Sequence, residues 1–204
     1  SVVKGADGNL WFSRYGAIMK FSNASATFTE YATSPGSGPI VLANDGNIWF
    51  TLMTTSGATL AKISANGVIT SQTTATKPTG ALAVDPSGNV WFSSYDGTVF
   101  RNSISRLVLA TGATTTFTMP APDMGHSSMA FGADGNLWFT DGGQRVGMMT
   151  PTGAFTYHAV PSGRGASSII LGPDGNLWYG IEGSSGYGIG RISEFSSTPS
   201  PTPS

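Results

Sequence analysis

The chain has 204 residues, of which 10% are charged, and its ten Lys and Arg against eleven Asp and Glu leave a net charge of −1. That balance excludes an electrostatic nucleic-acid binder, which needs clustered cations to displace counterions, and a polybasic membrane anchor. The lack of cysteine excludes a disulfide framework, a thiol nucleophile and thiolate metal sites. No apolar run approaches a transmembrane span. Instead 28 Gly and 12 Pro, with abundant Ser and Thr, favour short strands and turns over helices. Opening on Ser1 without a leader pattern, the chain reads as mature or excised.

Five tryptophans, Trp11, Trp49, Trp91, Trp138 and Trp178, recur at roughly forty-residue steps, each in the same phrase: ADGNLWF, NDGNIWF, PSGNVWF, ADGNLWF and PDGNLWY. Period-2 alternation parses the units in chain order. The first has strands at Ser1–Lys4, through Trp11, at Ala17–Phe21 and at Thr27–Tyr31. The second has Pro39–Ala43, the Trp49 strand, Leu60–Ile63 and Gly67–Gln72. The third has Gly80–Val84, the Trp91 strand, Ile104–Leu107 and Thr114–Met119. The fourth has Ser127–Phe131, the Trp138 strand, Val146–Met149 and Ala154–Ala159. The fifth has Ser167–Leu171, the Trp178 strand and Ile189–Ile192, with Glu194–Thr198 as the candidate fourth strand. The Asp-Gly pairs before the Trp strands predict type I′ hairpin turns.

Four antiparallel strands per unit make the blade of a β-propeller, whose sheets bury both faces only by stacking on one another. The fold class is therefore all-β, a propeller of about five four-stranded blades or a fragment of a larger ring. The repeated Trp is read as packing between blades, the five side chains being mostly buried. Residues 1–195 form the propeller, and 196–204 (SSTPSPTPS) a Pro/Ser/Thr-rich linker or tail. Joined end to end, the last and first units are about one strand short of a full blade. If Glu194–Thr198 does not pair, the seam leaves a free strand edge open to association.

The phrase GPDGNLWY at 172–179, followed by GIGRIS at 188–193, closely resembles the repeat of the streptogramin B lyases, also called virginiamycin B lyases. The resemblance covers residues 1–195. It implies a propeller, seven-bladed in the family enzyme, that linearises a cyclic depsipeptide by elimination, assisted by Mg2+, a histidine base and acidic residues. It also implies a histidine eleven residues before the last repeat tryptophans, where this chain has Ser127 and Ser167. His126 lies one residue off the first position, and Glu182 matches an acid four residues after the last Trp. A hydroxyl without a nearby base does not remove an α-proton at neutral pH.

The candidate catalytic residues are accordingly Glu182 and His126. Loops after each second strand open on one face and bring forward Tyr15, Tyr95, Asp96, Asp141 and Glu182, with Arg164 entering before the fifth blade and Tyr187 following the Glu182 loop. Asp96, Asp141, Glu182 and His126 together would offer a weak oxygen-rich cation site. No close-spaced metal motif supports one, so the metal and cofactor remain open, Mg2+ entering only with the lyase reading. His158 falls on an outer strand away from the axis. GSSGYG at 183–188 precedes a strand, not a helix, and is read as a hairpin loop. Asn23-Ala24-Ser25 is a formal glycosylation sequon.

Three functions follow. The first is a secreted or cell-surface binding propeller without lyase competence, taking a small molecule, glycan or peptide on the axial face, with Tyr15, Tyr95 and Tyr187 as platforms. The second is a Mg2+-dependent lyase using Glu182 and His126. The third is a structural subunit of a surface array or appendage.

Overall fold

A computed structural model describes residues 1–33, 36–95, 102–120, 128–141, 143–160, 164–183 and 186–193. They form nineteen strands in five antiparallel sheets, each sheet a meander in chain order. The first sheet holds β1 (Val2–Lys4), β2 (Leu10–Arg14), β3 (Ala17–Ser22) and β4 (Thr27–Ala32). The second holds β5 (Gly36–Leu42), β6 (Ile48–Thr54), β7 (Gly57–Ile63) and β8 (Ile69–Gln72). The third holds β9 (Lys77–Val84), β10 (Val90–Tyr95), β11 (Asn102–Leu107) and β12 (Thr114–Thr118). The fourth holds β13 (Ser128–Phe131), β14 (Leu137–Thr140), β15 (Arg145–Met149) and β16 (Phe155–Ala159). The fifth holds β17 (Gly165–Leu171), β18 (Leu177–Gly183) and β19 (Gly186–Ile192). These are five blades of a β-propeller, with no helix among the described residues. The proposed fourth strand at Glu194–Thr198 and the tail lie outside the described residues.

The repeated phrase builds a different turn from the one expected. Gly5 N donates to Asn9 O at 2.9 Å and Gly8 N to Gly5 O at 3.0 Å. Only the glycine of the pair has a positive φ, 76° at Gly8, so Ala6-Asp7-Gly8 is a three-residue loop, a type I turn closed by a left-handed glycine, and not a type I′ turn. The same pair of bonds recurs in all five units.

The aspartate serves as a clip. Asp7 accepts Asn9 N at 3.1 Å, Asn9 Nδ2 at 3.0 Å and Trp11 Nε1 at 3.2 Å. Asp45, Asp134 and Asp174 repeat this on Trp49, Trp138 and Trp178. In the third unit Ser87 stands at the repeat position, and Asp85, two residues earlier, takes over. It accepts Asn89 N at 2.8 Å, Asn89 Nδ2 at 3.0 Å and Trp91 Nε1 at 2.9 Å. Each clip thus satisfies an indole N–H that packing takes from water.

Four of the five Trp side chains face the following blade. Trp11 packs with Ile40, Ile48 and Phe50, and Trp49 with Leu82, Val90 and Phe92. Trp91 packs with Met129, Leu137 and Phe139, and Trp138 with Ala166, Ile169 and Tyr179. These four indoles are at most 4% exposed. Trp178 departs from the expectation: it is only half-buried and joins none of these clusters, because no fifth junction covers it among the described residues. Four junctions hold five blades.

The innermost strands of the second and fifth blades bulge between Ser37 and Ile40 and between Ala166 and Ile169. Each bulge frees an amide that the preceding blade captures. Ile40 N donates to Ser1 Oγ at 2.9 Å, and Ile169 N to Ser128 Oγ at 3.1 Å.

Candidate functional site

In a meander blade the connection between the second and third strands lies at the same end as the start of the innermost strand. The β2–β3, β10–β11 and β18–β19 connections therefore bring Tyr15, Tyr95 and Tyr187 to one end of the propeller. Tyr15 and Tyr187 are each 87% exposed, and Tyr95 is exposed at the end of β10. Met53, on the corresponding β6–β7 hairpin, is exposed beside Tyr15 near Gly36.

Of the expected acidic residues, Asp141 and Glu182 are among those the structure describes. Asp141 is 1% exposed and already committed: its Oδ2 accepts Arg145 Nε at 2.6 Å and its Oδ1 accepts Gly143 N at 2.9 Å. Arg145 in turn lies over the Tyr157 ring, 4.4 Å from its centroid. Asp141 is a folding ion pair that sets the β14–β15 turn, and Gly143 O then accepts Ala166 N at 3.2 Å from the fifth blade. It has no lone pairs pointed at solvent to offer a ligand.

Glu182 is different. It is exposed, sits opposite Tyr187 in the β18–β19 ladder and opposite Gly165 in the β17–β18 ladder, and has no ion-pair partner among the described residues. Arg164 packs its aliphatic stem against Gly183, with its guanidinium beside Gly188. Arg164, just before β17, thus packs on the hairpin that carries Glu182 and Tyr187. His126 and Asp96 lie outside the described residues. Among the described residues no three His, Asp or Glu side chains come together to hold a metal. With Asp141 tied to Arg145, the described donors do not fit a divalent cation. Ser167, at a family histidine position, lies on β17, where its carbonyl faces Thr140 Oγ1 at 3.5 Å. His158 stacks on Trp138 at 5.4 Å between centroids, a packing role on the outer strand.

The opposite end, at the Asp-Gly turns, carries a feature the sequence reading did not place. An apolar depression of about 410 Å3 opens between the innermost strands, lined by Val41, Leu82, Val84, Met129, Phe131 and Leu171. Its sequence signal is the apolar residue that closes several inner strands just before the turn, Val84, Phe131 and Leu171.

Comparison with known proteins locates this architecture. The model of the virginiamycin B lyase family matches residues 40–201. The structure superposes on virginiamycin B lyase from Staphylococcus aureus with a TM-score of 0.73 at 22% identity, covering 96% of this chain and 70% of that one. A gluconolactonase from Xanthomonas campestris matches with a TM-score of 0.67 at 18% identity, over 90% of this chain and 68% of that one. The extracellular domain of a putative one-component system from B. thetaiotaomicron matches at 0.71 and 15% identity, over 96% of this chain and 27% of that one. No curated protein matches the sequence. At these identities the structural likenesses establish the fold.

Proposed function

Since this chain belongs to the virginiamycin B lyase family, we propose that it keeps the propeller of the family and uses it to bind rather than to cleave, at the end that carries Tyr15, Tyr95 and Tyr187. The observation that carries this reading is the pairing of exposed tyrosines with a withdrawn acid on the same end. The rings stand in water while Asp141 is spent on Arg145. A tyrosine offers an apolar face for stacking and a hydroxyl for a polar tip, which suits a glycan or a peptide with flat apolar patches. Glu182 and Arg164 beside Tyr187 add one anion and one cation to the rim. A secreted or cell-surface location accords with this role and with the extracellular domain among the fold's relatives.

Screening the immobilised chain against glycans and cyclic peptides tests this. Saturable binding that falls about tenfold or more in Tyr15→Ala or Tyr187→Ala, as truncation of an aromatic anchor does, is the expected outcome. Turnover of a bound compound, or no saturable ligand, overturns it.

One observation favours a second reading. Glu182 is exposed, and without an ion-pair partner among the described residues, at the position where the family resemblance implies an acid, so a lyase would have a carboxylate in place. Incubation with streptogramin B and Mg2+, watched for the linear product, decides between the two.

A further inference from the structure

We propose that Arg106, at the junction of the third and fourth blades, is a binding site for a carboxylate from outside the chain. The first two blades show what a cation at this position does. Lys20, Lys62 and Arg106 stand opposite Trp11, Trp49 and Trp91 in the ladder between the second and third strands of their blades. Each lies over its indole, at 5.3, 5.2 and 5.4 Å from the ring centroid. The two lysines are neutralised there. Lys20 Nζ reaches Asp7 Oδ2 at 2.8 Å and donates to Ala65 O of the next blade at 3.1 Å. Lys62 Nζ reaches Asp45 Oδ2 at 3.2 Å.

Arg106 has no such partner. Ser87 fills the position of Asp7 and Asp45, and Asp85 serves the indole from two residues nearer β9. Asp85 spends its oxygens on Asn89 N, Asn89 Nδ2 and Trp91 Nε1, and makes no ion pair with Arg106. Among the described residues the guanidinium has no ion pair and donates no hydrogen bond. Of its three nitrogens only Nε is shut off from solvent without a partner. A guanidinium carries five N–H donors in a planar fork and keeps its charge at any ordinary pH.

The geometry selects the ligand. With Nε buried and the group seated on the indole, the guanidinium is positioned before anything binds, which lowers the ordering cost of capture. Its Nη pair is left to face outward, and two parallel N–H donors match the two oxygens of a carboxylate. Burial on one side strengthens the attraction on the other, since the local dielectric falls. One uncompensated charge, with Asp85 across the indole, suits a monoanion better than a dianion. The carboxylate then supplies from outside what Asp7 and Asp45 supply to the two lysines. All these residues belong to the third blade, which has a neighbour on each side. Trp91 lies near the start of β10 and Tyr95 at its far end, so this site does not rest on the ligand reading at the tyrosines.

The test titrates sodium acetate, against sodium chloride at equal ionic strength, into the isotope-labelled full chain and follows the Trp91 indole and Arg106 Nε–H resonances. Both should move saturably with acetate, with a midpoint in the millimolar range, and stay still with chloride. Arg106→Met copies the fourth blade, where Met148 stands opposite Trp138, and so keeps a side chain on the indole without a donor. In that variant acetate should no longer move the Trp91 resonance. Arg106→Lys keeps the charge and loses the fork, and should weaken binding about tenfold or more. A glutamate capped at both ends, titrated separately, separates the two sources of the ligand: tighter binding than acetate assigns the site to an acidic side chain of a partner, weaker binding to a free small acid. The absence of a saturable acetate shift in the unaltered chain, an equal shift with chloride, an unchanged Trp91 shift in Arg106→Met or full affinity in Arg106→Lys each overturns the proposal.

Discussion

The clip in the third unit gives a test in which sequence position and structure disagree. By alignment of the repeats, Ser87 is the counterpart of Asp7 and Asp45. In the structure Asp85 holds that role, binding Trp91 Nε1 at 2.9 Å and both nitrogens of Asn89. Asp85→Ala removes the acceptor for the indole N–H of a Trp that is almost wholly buried. A buried donor left without a partner costs about 1–3 kcal/mol, and the partly exposed Asn89 bonds, which water replaces, add about 0.5 kcal/mol more. The sum is about 1.5–3.5 kcal/mol, or a fall in Tm of roughly 3–14 °C for a domain of this length. Arg106, over the Trp91 ring at 5.4 Å, still packs there and does not accept the proton. Ser87→Ala should stay within about 0.5 kcal/mol, as surface changes do. Urea midpoints and thermal melts of the two variants suffice. Equal losses for both, or an Asp85→Ala loss within about 0.5 kcal/mol, would show that the indole bond contributes nothing and that the clip is incidental.

Trp49→Ala should cost about 3–5 kcal/mol, as large core truncations do, whereas Trp178→Ala should cost well under half of that; chemical denaturation of the pair measures the contrast. Gly67→Ala should destabilise by about 1–3 kcal/mol, since Gly67 has φ of 84° and an added Cβ would collide with the Tyr31 ring; Gly186→Ala, also at positive φ but in open space, should lose less in the same melts. Burial alone would raise the carboxyls of Asp7, Asp45 and Asp85, yet hydrogen bonds from Lys20, Asn9 and Trp11, from Asn47, Trp49 and Lys62, and from Trp91 and Asn89 hold them below the usual range. Depressed carboxyls stabilise the fold above their unfolded pKa of about 3.9, and that contribution drains as acid protonates them in the folded state. The urea midpoint should therefore hold down to about pH 5 and fall steeply below pH 4; a flat midpoint to pH 2 would contradict the clips.

Much of the fold was legible because one phrase repeats. Alternation alone placed the fourth strand of the first blade at Thr27–Tyr31, and the structure has Thr27–Ala32. Where it fell short, backbone irregularity was the cause. The inner strand of the second blade was read from Pro39, but β5 starts at Gly36, because the proline sits within a bulge that the pleat tolerates. The site was less legible. Asp141 looked like a rim ligand, although Arg145, four residues on across a tight turn, was its evident partner. That the exposed tyrosines fall at one end follows from the strand order of a meander, which sets where its turns lie. Trp178 was misjudged because a repeat implies equal environments, and a blade with one neighbour does not have one.

Because each blade packs only on those before and after it, the arc has the energetics of a one-dimensional array, in which stability is a sum of unit and nearest-neighbour terms. The third blade, β9–β12, is pinned from both sides, while the first and fifth are each held by one junction. Opening therefore begins at the outer units and travels inward, so amide exchange should be fastest in β1–β4 and β17–β19 and slowest in β10. The serine bonds from Ser1 to Ile40 and from Ser128 to Ile169 cross the outermost two of the four junctions. They act there as latches against fraying, where the array has least to lose by letting go.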